Sequence, residues 1–416
     1  MAQPTISIAY LSNQFPSAVE PYISDEIAAL RKQGFTILPC SARRTDGKPL
    51  EGSRETLAAE TLYLEPLQID FGFRALWLCA REHKVLASLL RRILWHGNES
   101  FGRRARALLH TWLGAYYALL LEGRGVQHIH VHHGYFSSWV AMVAAMLLRI
   151  EFSMTLHGSD LLLHGAYLDL KLKHCRFCLT VSEFNRNYIF EHYPGVDAGK
   201  LGVQRIGVDT DNICSNNLLR QCDQQFTILA VGRLHAVKNH AFLVRACRQL
   251  KDLGLDFQCL IAGEGPERHL LKCLIRNLGL KSEVKLLGHM ARSQLDVLYA
   301  TSDLVALTSR SEGIPLVLME AMARRAVVLA PAITGIPELV IDGETGFLYQ
   351  PGSLEDFVAH VTDISRLRSA LNPVKAAARA HVIERFDPKK NLTALAELFR
   401  RQLLTTQESH ADPVLQ

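Results

Sequence analysis

The sequence predicts an α/β protein whose strands form doubly wound parallel sheets. Three observations point there. Short strand-like apolar runs alternate with helix-like segments along the chain, which is the pattern of β-α-β units. Most runs stop at turns of glycine, histidine, serine or aspartate, the side chains suited to ligands at the carboxyl ends of parallel strands. The 416 residues also leave room for two domains of ordinary size.

Composition sets the bounds. Hydrophobic residues make up 48% and charged residues 21%, enough to bury substantial cores. No apolar run reaches the roughly 20 residues that span a bilayer. Met1 to Pro4 leads straight into a strand-like run with no basic leader or cleavage site, so a cytoplasmic protein is expected. The nine cysteines are scattered, as expected of reduced thiols. Cys175 and Cys178 form a C-x-x-C without a second pair, which reads as two core thiols. The net charge of +5 permits an acidic partner without identifying one, and no nucleic-acid motif is present.

In the first half, Ile6 to Leu11 reads as a buried strand, Asn13 to Pro21 as a loop, Tyr22 to Lys32 as a helix and Phe35 to Pro39 as the next strand. Residues 72 to 124 read as two long helices that interleave arginines with Trp77, Trp95 and Trp112. Such a surface is compatible with an anionic membrane face. His128, His130 and His132 alternate along a strand and share a face, but no carboxylate or thiolate completes a metal pattern. Phe152 to Leu156 is a strand that delivers His157-Gly158-Ser159-Asp160 to its carboxyl end, and Leu201 to Val208 is the last strand-like piece of this half. Asp209-Thr210-Asp211 is not expected to bind metal, and the polar stretch from Asp211 to Gln225 reads as a linker.

In the second half, Phe226 to Val231 is a strand ended by Gly232-Arg233, with Lys238 five residues on. A guanidinium and an ammonium close together at a strand end suit a diphosphate. Strands at 257–262 and 284–287 end in Gly263-Glu264-Gly265-Pro266 and Gly288-His289-Met290. Ser311 to Ala323 reads as a loop that turns into a helix, with Pro315 in its first turn. Free N–H groups there, together with the helix dipole, make an anion site. Glu312 and Glu320 are eight positions apart and flank it, so a phosphate joined to sugars fits.

Ser309 to Ala323, Gly335-Ile336-Pro337-Glu338 and Asp342 to Phe347 occur in an order and spacing that resembles the nucleotide-sugar half of a retaining glycosyltransferase of family 4. The first half is similar to bacterial exopolysaccharide and colanic-acid-type members, through Phe15-Pro16, Glu20 and Asp25-Glu26-Ile27. Pro21 stands where those members usually have threonine. The resemblance implies the GT-B fold: two Rossmann-like doubly wound domains facing a central cleft, and a C-terminal helix crossing back to the N-terminal domain. The expected divisions are 1–208, 209–385 and 386–416.

The resemblance also implies site roles. His157, Arg233, Lys238 and Glu312 are the catalytic set. Gly232, Gly263, Gly265, His289, Met290, Gly313, Ile314, Leu316, Val317 and Glu320 join Arg233, Lys238 and Glu312 in binding the donor. Glu320 would take the ribose hydroxyls and Glu312 the transferred sugar. Phe15, Glu20, His132 and Asp160 fall on the acceptor side. The expected partners are a nucleotide-diphosphate sugar, a glycan or lipid-linked glycan acceptor and an anionic membrane surface, with no metal or other cofactor. A nucleotide-sugar epimerase and a non-catalytic nucleotide-binding subunit are the rival readings.

Overall fold

The structure is a computed structural model and describes residues 6–17, 20–45, 53–95, 99–163, 165–210 and 225–409. The chain divides into two compact units. Unit 1 comprises Met1–Val181, Asn185–Gln204 and Lys389–Gln416, and unit 2 comprises Ser182–Phe184 and Arg205–Pro388. Most of the expected linker lies outside the described residues.

Unit 1 holds seven strands: β1 Ser7–Gln14, β2 Thr36–Arg43, β3 Leu62–Tyr63, β4 His128–His132, β5 Glu151–Leu156, β6 Cys178–Thr180 and β7 Leu201–Val203. They form one parallel sheet in the order β3-β2-β1-β4-β5-β6-β7. The order reverses between β1 and β4, where Tyr10 registers with His130. Such a reversal opens a crevice at the carboxyl ends of the strands. β1 runs on through Asn13 and Gln14, which the sequence places in a loop.

The helices follow from their apolar stripes. Pro21–Lys32 starts with Pro21 in its first turn, where the missing N–H costs nothing, and buries Ile23, Glu26, Ile27 and Leu30. The stretch expected as two helices is three: Ile69–Arg81, His83–Leu94 and Phe101–Leu121. The first two break at Glu82, which leaves helical geometry (ψ 25°) and lets both stripes turn inward. Helix Pro388–Ser409 returns to this unit. Its Leu395, Ala396, Phe399 and Leu403 pack with Ile8, Tyr10 and Phe177. The fully buried Phe399 ring alone contributes about 2 kcal/mol of apolar burial.

Unit 2 holds β8 Phe226–Val231, β9 Phe257–Ala262, β10 Val284–Gly288, β11 Leu304–Ala306, β12 Val327–Pro331 and β13 Phe347–Tyr349. All pair in parallel, in the order β10-β9-β8-β11-β12-β13. The reversal here lies between β8 and β11. Both sheets are doubly wound, and this is the Rossmann-like arrangement the sequence predicts. Among the described residues no helix is long and apolar enough to cross a membrane.

Candidate active site

In unit 2 the predicted residues collect where β8 and β11 leave the sheet. The turn Gly232-Arg233-Leu234 lies against Gly263-Glu264-Gly265. The N–H of Gly232 donates to the Ala262 carbonyl (3.0 Å) and that of Leu234 to the Glu264 carbonyl (2.8 Å). Gly263 has φ +145°, and a Cβ there would sit 1.9 Å from the Gly232 carbonyl oxygen. A Cβ at Gly265 would come within 2.4 Å of the Leu234 carbonyl oxygen. These glycines therefore let two backbones touch beneath the Arg233 turn. Gly263→Ala is expected to destabilise the protein by about 2 kcal/mol, read as a lowered urea midpoint, because the clashing atom is main chain and cannot swing away.

Arg233 is exposed and has no side-chain partner among the described residues. Lys238 closes the short turn Ala236–Lys238, and its Nζ donates to Glu312 Oε1 at 2.6 Å. The two side chains are only 21% and 11% exposed. The Glu312 loop is tied down along its length. Arg310 N–H donates to the Val237 carbonyl (2.8 Å), Thr308 Oγ1 to the Lys238 carbonyl (3.0 Å) and Thr334 Oγ1 to the Glu312 carbonyl (2.7 Å).

The helix after the loop is Leu316–Ala323. Pro315 is its N-cap with extended backbone (ψ 117°), not a first-turn residue as the sequence suggests. The N–H groups of Leu316 and Val317 have no acceptor among the described residues, whereas those of Leu318 and Met319 bond the Pro315 carbonyl. Gly313 and Ile314 lie in the loop, and the Gly313 carbonyl approaches Gly335 so closely that a Cβ there would sit 2.6 Å away. Glu320 is buried. Its carboxylate accepts from Arg292 Nη1 and from Tyr299 Oη (3.0 Å), two partners the sequence did not reveal. His289 and Met290 follow β10 at the sheet edge, His289 exposed and Met290 half-buried.

In unit 1 the cluster forms at the β1–β4 reversal. Glu26 accepts from Tyr10 Oη, and its Oε2 is 3.0 Å from His132 Nε2. With His132 donating there, its Nδ1 accepts from His157 Nε2 at 2.9 Å. One chain of donors thus links a helix, two strands and the turn after β5. His157 is held well below the ordinary histidine range, first by burial and then by the neighbouring His133, His132 and His130, so it is neutral at pH 7. His133 has a left-handed φ of 71°, uncommon for a non-glycine residue, and its Nε2 meets Glu20 Oε1 at 2.7 Å.

The structure buries three of the four acceptor-side residues. Phe15 is 1% exposed and belongs to the core beside Ile23 and Ile27. Asp160 is 0% exposed. Its carboxylate accepts from the N–H groups of Gly134 (2.8 Å), His157 (3.0 Å), Gly158 (2.7 Å) and Leu161 (3.1 Å), so it braces the histidine turn. His132 is also fully buried, with His157 hydrogen-bonded to its Nδ1.

On β4, hydroxyls meet three of the four ring nitrogens of His128 and His130, and His128 Nδ1 is buried without a partner among the described residues. Ser153 Oγ lies 2.7 Å from His128 Nε2 and 2.8 Å from His130 Nδ1, and Thr155 Oγ1 lies 3.1 Å from His130 Nε2. Burial pushes His128 down to about 3, with Arg176 adding to the effect. Burial also lowers His110 and His240 to about 4, and it lowers His130 and His157. The unfolded chain takes up protons near pH 6.5, whereas the folded one resists them. The histidine contribution to stability is therefore present above pH 6.5 and is lost as the pH drops toward 4, a loss to be read as a declining melting temperature between pH 7 and 5. Cys175 and Cys178 are buried thiols, Cys175 pushed up to about 12.

Two family models match the chain. "Glycosyltransferase Family 4" covers residues 19–212 and "Glycosyl transferases group 1" covers residues 219–381. The amylovoran biosynthesis glycosyltransferase AmsK of Erwinia amylovora is 27% identical over 415 residues, covering 95% of this chain and all of that protein. The putative colanic acid biosynthesis glycosyltransferase WcaL of Salmonella typhimurium is 25% identical, with the same coverage. The crystal structure of Anabaena Alr3699/HepE with UDP-glucose superposes with a TM-score of 0.69 at 20% identity, over 95% of this chain and all of that one. With a doubly wound parallel sheet in each unit, the chain is a GT-B glycosyltransferase that carries a family 4 domain followed by a group 1 domain.

Proposed function

We propose that the protein moves a sugar from a nucleotide diphosphate to an acceptor hydroxyl with retention of anomeric configuration, in exopolysaccharide assembly and without a bound metal. The observation that carries this reading is the group at the β8–β11 reversal. It comprises an exposed arginine, a lysine paired with Glu312, and the uncapped N–H groups of Leu316 and Val317. Breaking the bond from the anomeric carbon to phosphate leaves negative charge on the phosphate. Preorganised donors at that point are the largest catalytic contribution. These cations and N–H groups supply the charge a divalent ion otherwise provides.

Lys238 turns from Glu312 to the diphosphate, and Glu312 is released to accept from the sugar hydroxyls. Glu320, oriented by Arg292 and Tyr299, receives the ribose. No carboxylate is assigned as a covalent nucleophile. The acceptor oxygen attacks on the face the phosphate leaves, and a phosphate oxygen takes its proton. Neutral His157 donates or accepts without changing charge. UDP-glucose in the Anabaena structure and the amylovoran and colanic acid names of the relatives support donor class and pathway.

The helices at 69–121 support a peripheral membrane site. Ile69, Phe73 and Trp77 recur at helical spacing and are 80%, 70% and 62% exposed, and Trp95, just past the end of the second helix, and Phe101, at the start of the third, are exposed too. Arginines lie among them, as on helices that rest in anionic headgroups. Equal co-sedimentation with anionic and neutral vesicles would remove this part of the reading.

The test of the reaction is a transfer assay across UDP-, GDP- and ADP-sugars with EDTA present, the product's anomeric configuration read by NMR. Transfer with an inverted product, or only after metal is added, overturns the mechanism. Interconversion of free donors without an acceptor, or donor binding with no turnover, overturns the activity.

A further inference from the structure

Glu26 is a buried carboxylate to which the transfer chemistry assigns no part. It lies on helix Pro21–Lys32, one turn after Tyr22, and the two side chains share a face: Glu26 meets His132, and Tyr22 packs on His157. We infer that Glu26 is a positioning residue. Acting through His132, it fixes the hydrogen of His157 on Nε2 and leaves Nδ1 bare, ready to accept a hydroxyl hydrogen. That the hydroxyl belongs to a sugar rests on the transferase reading; the tautomer stands on the hydrogen bonds alone.

Counting hydrogens gives the direction. Burial first, and then Glu26, push the Tyr10 phenol well above its ordinary range, so it keeps its one hydrogen. That hydrogen goes to Glu26 Oε2. The Tyr10 oxygen has none left for His132 Nε2, which lies 3.1 Å away. Glu26 Oε2 lies 3.0 Å from the same nitrogen. Facing two oxygens that can only accept, His132 Nε2 carries the hydrogen. As a neutral imidazole His132 has one N–H, so its Nδ1 is bare and takes its bond from His157 Nε2 at 2.9 Å. His157 is neutral as well, held low by burial and then by the histidines around it. Its single hydrogen is spent on His132, and Nδ1 has none to give.

Packing holds the ring in this orientation. The rings of Tyr22, His132 and His133 have centroids 5.1, 5.2 and 4.5 Å from that of His157. His157 is half-buried, and no protein group meets its Nδ1 among the described residues. An ionised phosphate oxygen only accepts and is a poor partner for a bare nitrogen, whereas a hydroxyl is a good one. Glu26 thus selects the kind of group that His157 can hold, from two side chains away.

The test is spectroscopic. Histidine-selective ¹⁵N labelling of the full chain reads each ring nitrogen as protonated or bare, and the resonances lost in His132→Gln and His157→Gln assign the two rings. In the parent both rings are expected to be protonated at Nε2 only. Glu26→Met removes the acceptor, so the Tyr10 O–H turns to His132 Nε2 and both rings change to the Nδ1–H form. Glu26→Gln can set its carbonyl oxygen on both donors and keeps the parent pattern. Tyr10→Phe deletes a buried hydroxyl but leaves Glu26 on His132, so it keeps the pattern too. A Glu26 that merely filled space would not separate these variants. A parent His157 protonated at Nδ1, a His132 protonated on both nitrogens, a Glu26→Met spectrum with the parent pattern, or a Tyr10→Phe spectrum without it overturns the inference. Should Glu26→Met not fold, the parent spectrum decides alone. In transfer, kcat of Glu26→Met is expected to fall roughly 10- to 100-fold with Glu26→Gln near the parent. An equal loss in both overturns the positioning role. A parent that transfers no sugar removes the transferase reading and leaves the tautomer result in place.

Discussion

Arg233→Ala should slow sugar transfer about 10²- to 10³-fold, the range for removing one preorganised donor from a developing anion. The melting temperature should barely move, because Arg233 is exposed and has no side-chain partner among the described residues. Lys238→Ala should match it in turnover but not in stability. Removing the ammonium leaves Glu312, with an 11% exposed side chain, without its 2.6 Å partner. A carboxylate so stranded is costly. The double variant Lys238→Ala/Glu312→Gln therefore regains stability without regaining rate. Single-variant rates within about threefold of the parent would remove both cations from the mechanism.

Asp160→Ala is expected to have the largest effect on stability. Its carboxylate collects four backbone N–H groups from two turns while wholly buried. Deleting it orphans those of Gly134, His157 and Gly158, while the Leu161 N–H keeps the Gly158 carbonyl (2.9 Å), and each buried unsatisfied donor costs about 1–3 kcal/mol. A net loss of about 4 kcal/mol after relaxation corresponds to a fall of roughly 8–16 °C in melting temperature for a unit of this size. Asp160→Asn, with one carbonyl oxygen left to accept, should fall between. If Asp160→Ala melts with the parent while losing acceptor affinity, the bracing role is wrong.

The architecture was legible because parallel strands buried on both faces leave continuous apolar runs, such as Phe226–Val231. The clustering of Gly232, Arg233, Lys238 and Glu312 was legible for the same reason, since they sit beside strand ends the periodicity locates. What stayed hidden depends on pairing distant in sequence. Tyr10 and His132 are 122 residues apart and meet only because β1 and β4 are neighbours. Arg292 and Tyr299 find Glu320 through helix packing that no local pattern records. Glu26 did leave a signal: a lone carboxylate on the apolar stripe of Ile23, Ile27 and Leu30, where burial demands a partner. The burial of Phe15 and Asp160 stayed hidden as well, because a motif gives identity but not the direction of a side chain.

The backbone contact under the Arg233 turn also has a bearing on how this scaffold can be redesigned. Libraries that aim to change donor preference should find positions 263 and 265 closed, since the carbonyls of Gly232 and Leu234 occupy the room any larger residue needs. Diversity can instead be directed to exposed His289 at the rim of the same sheet, where a new side chain meets solvent first.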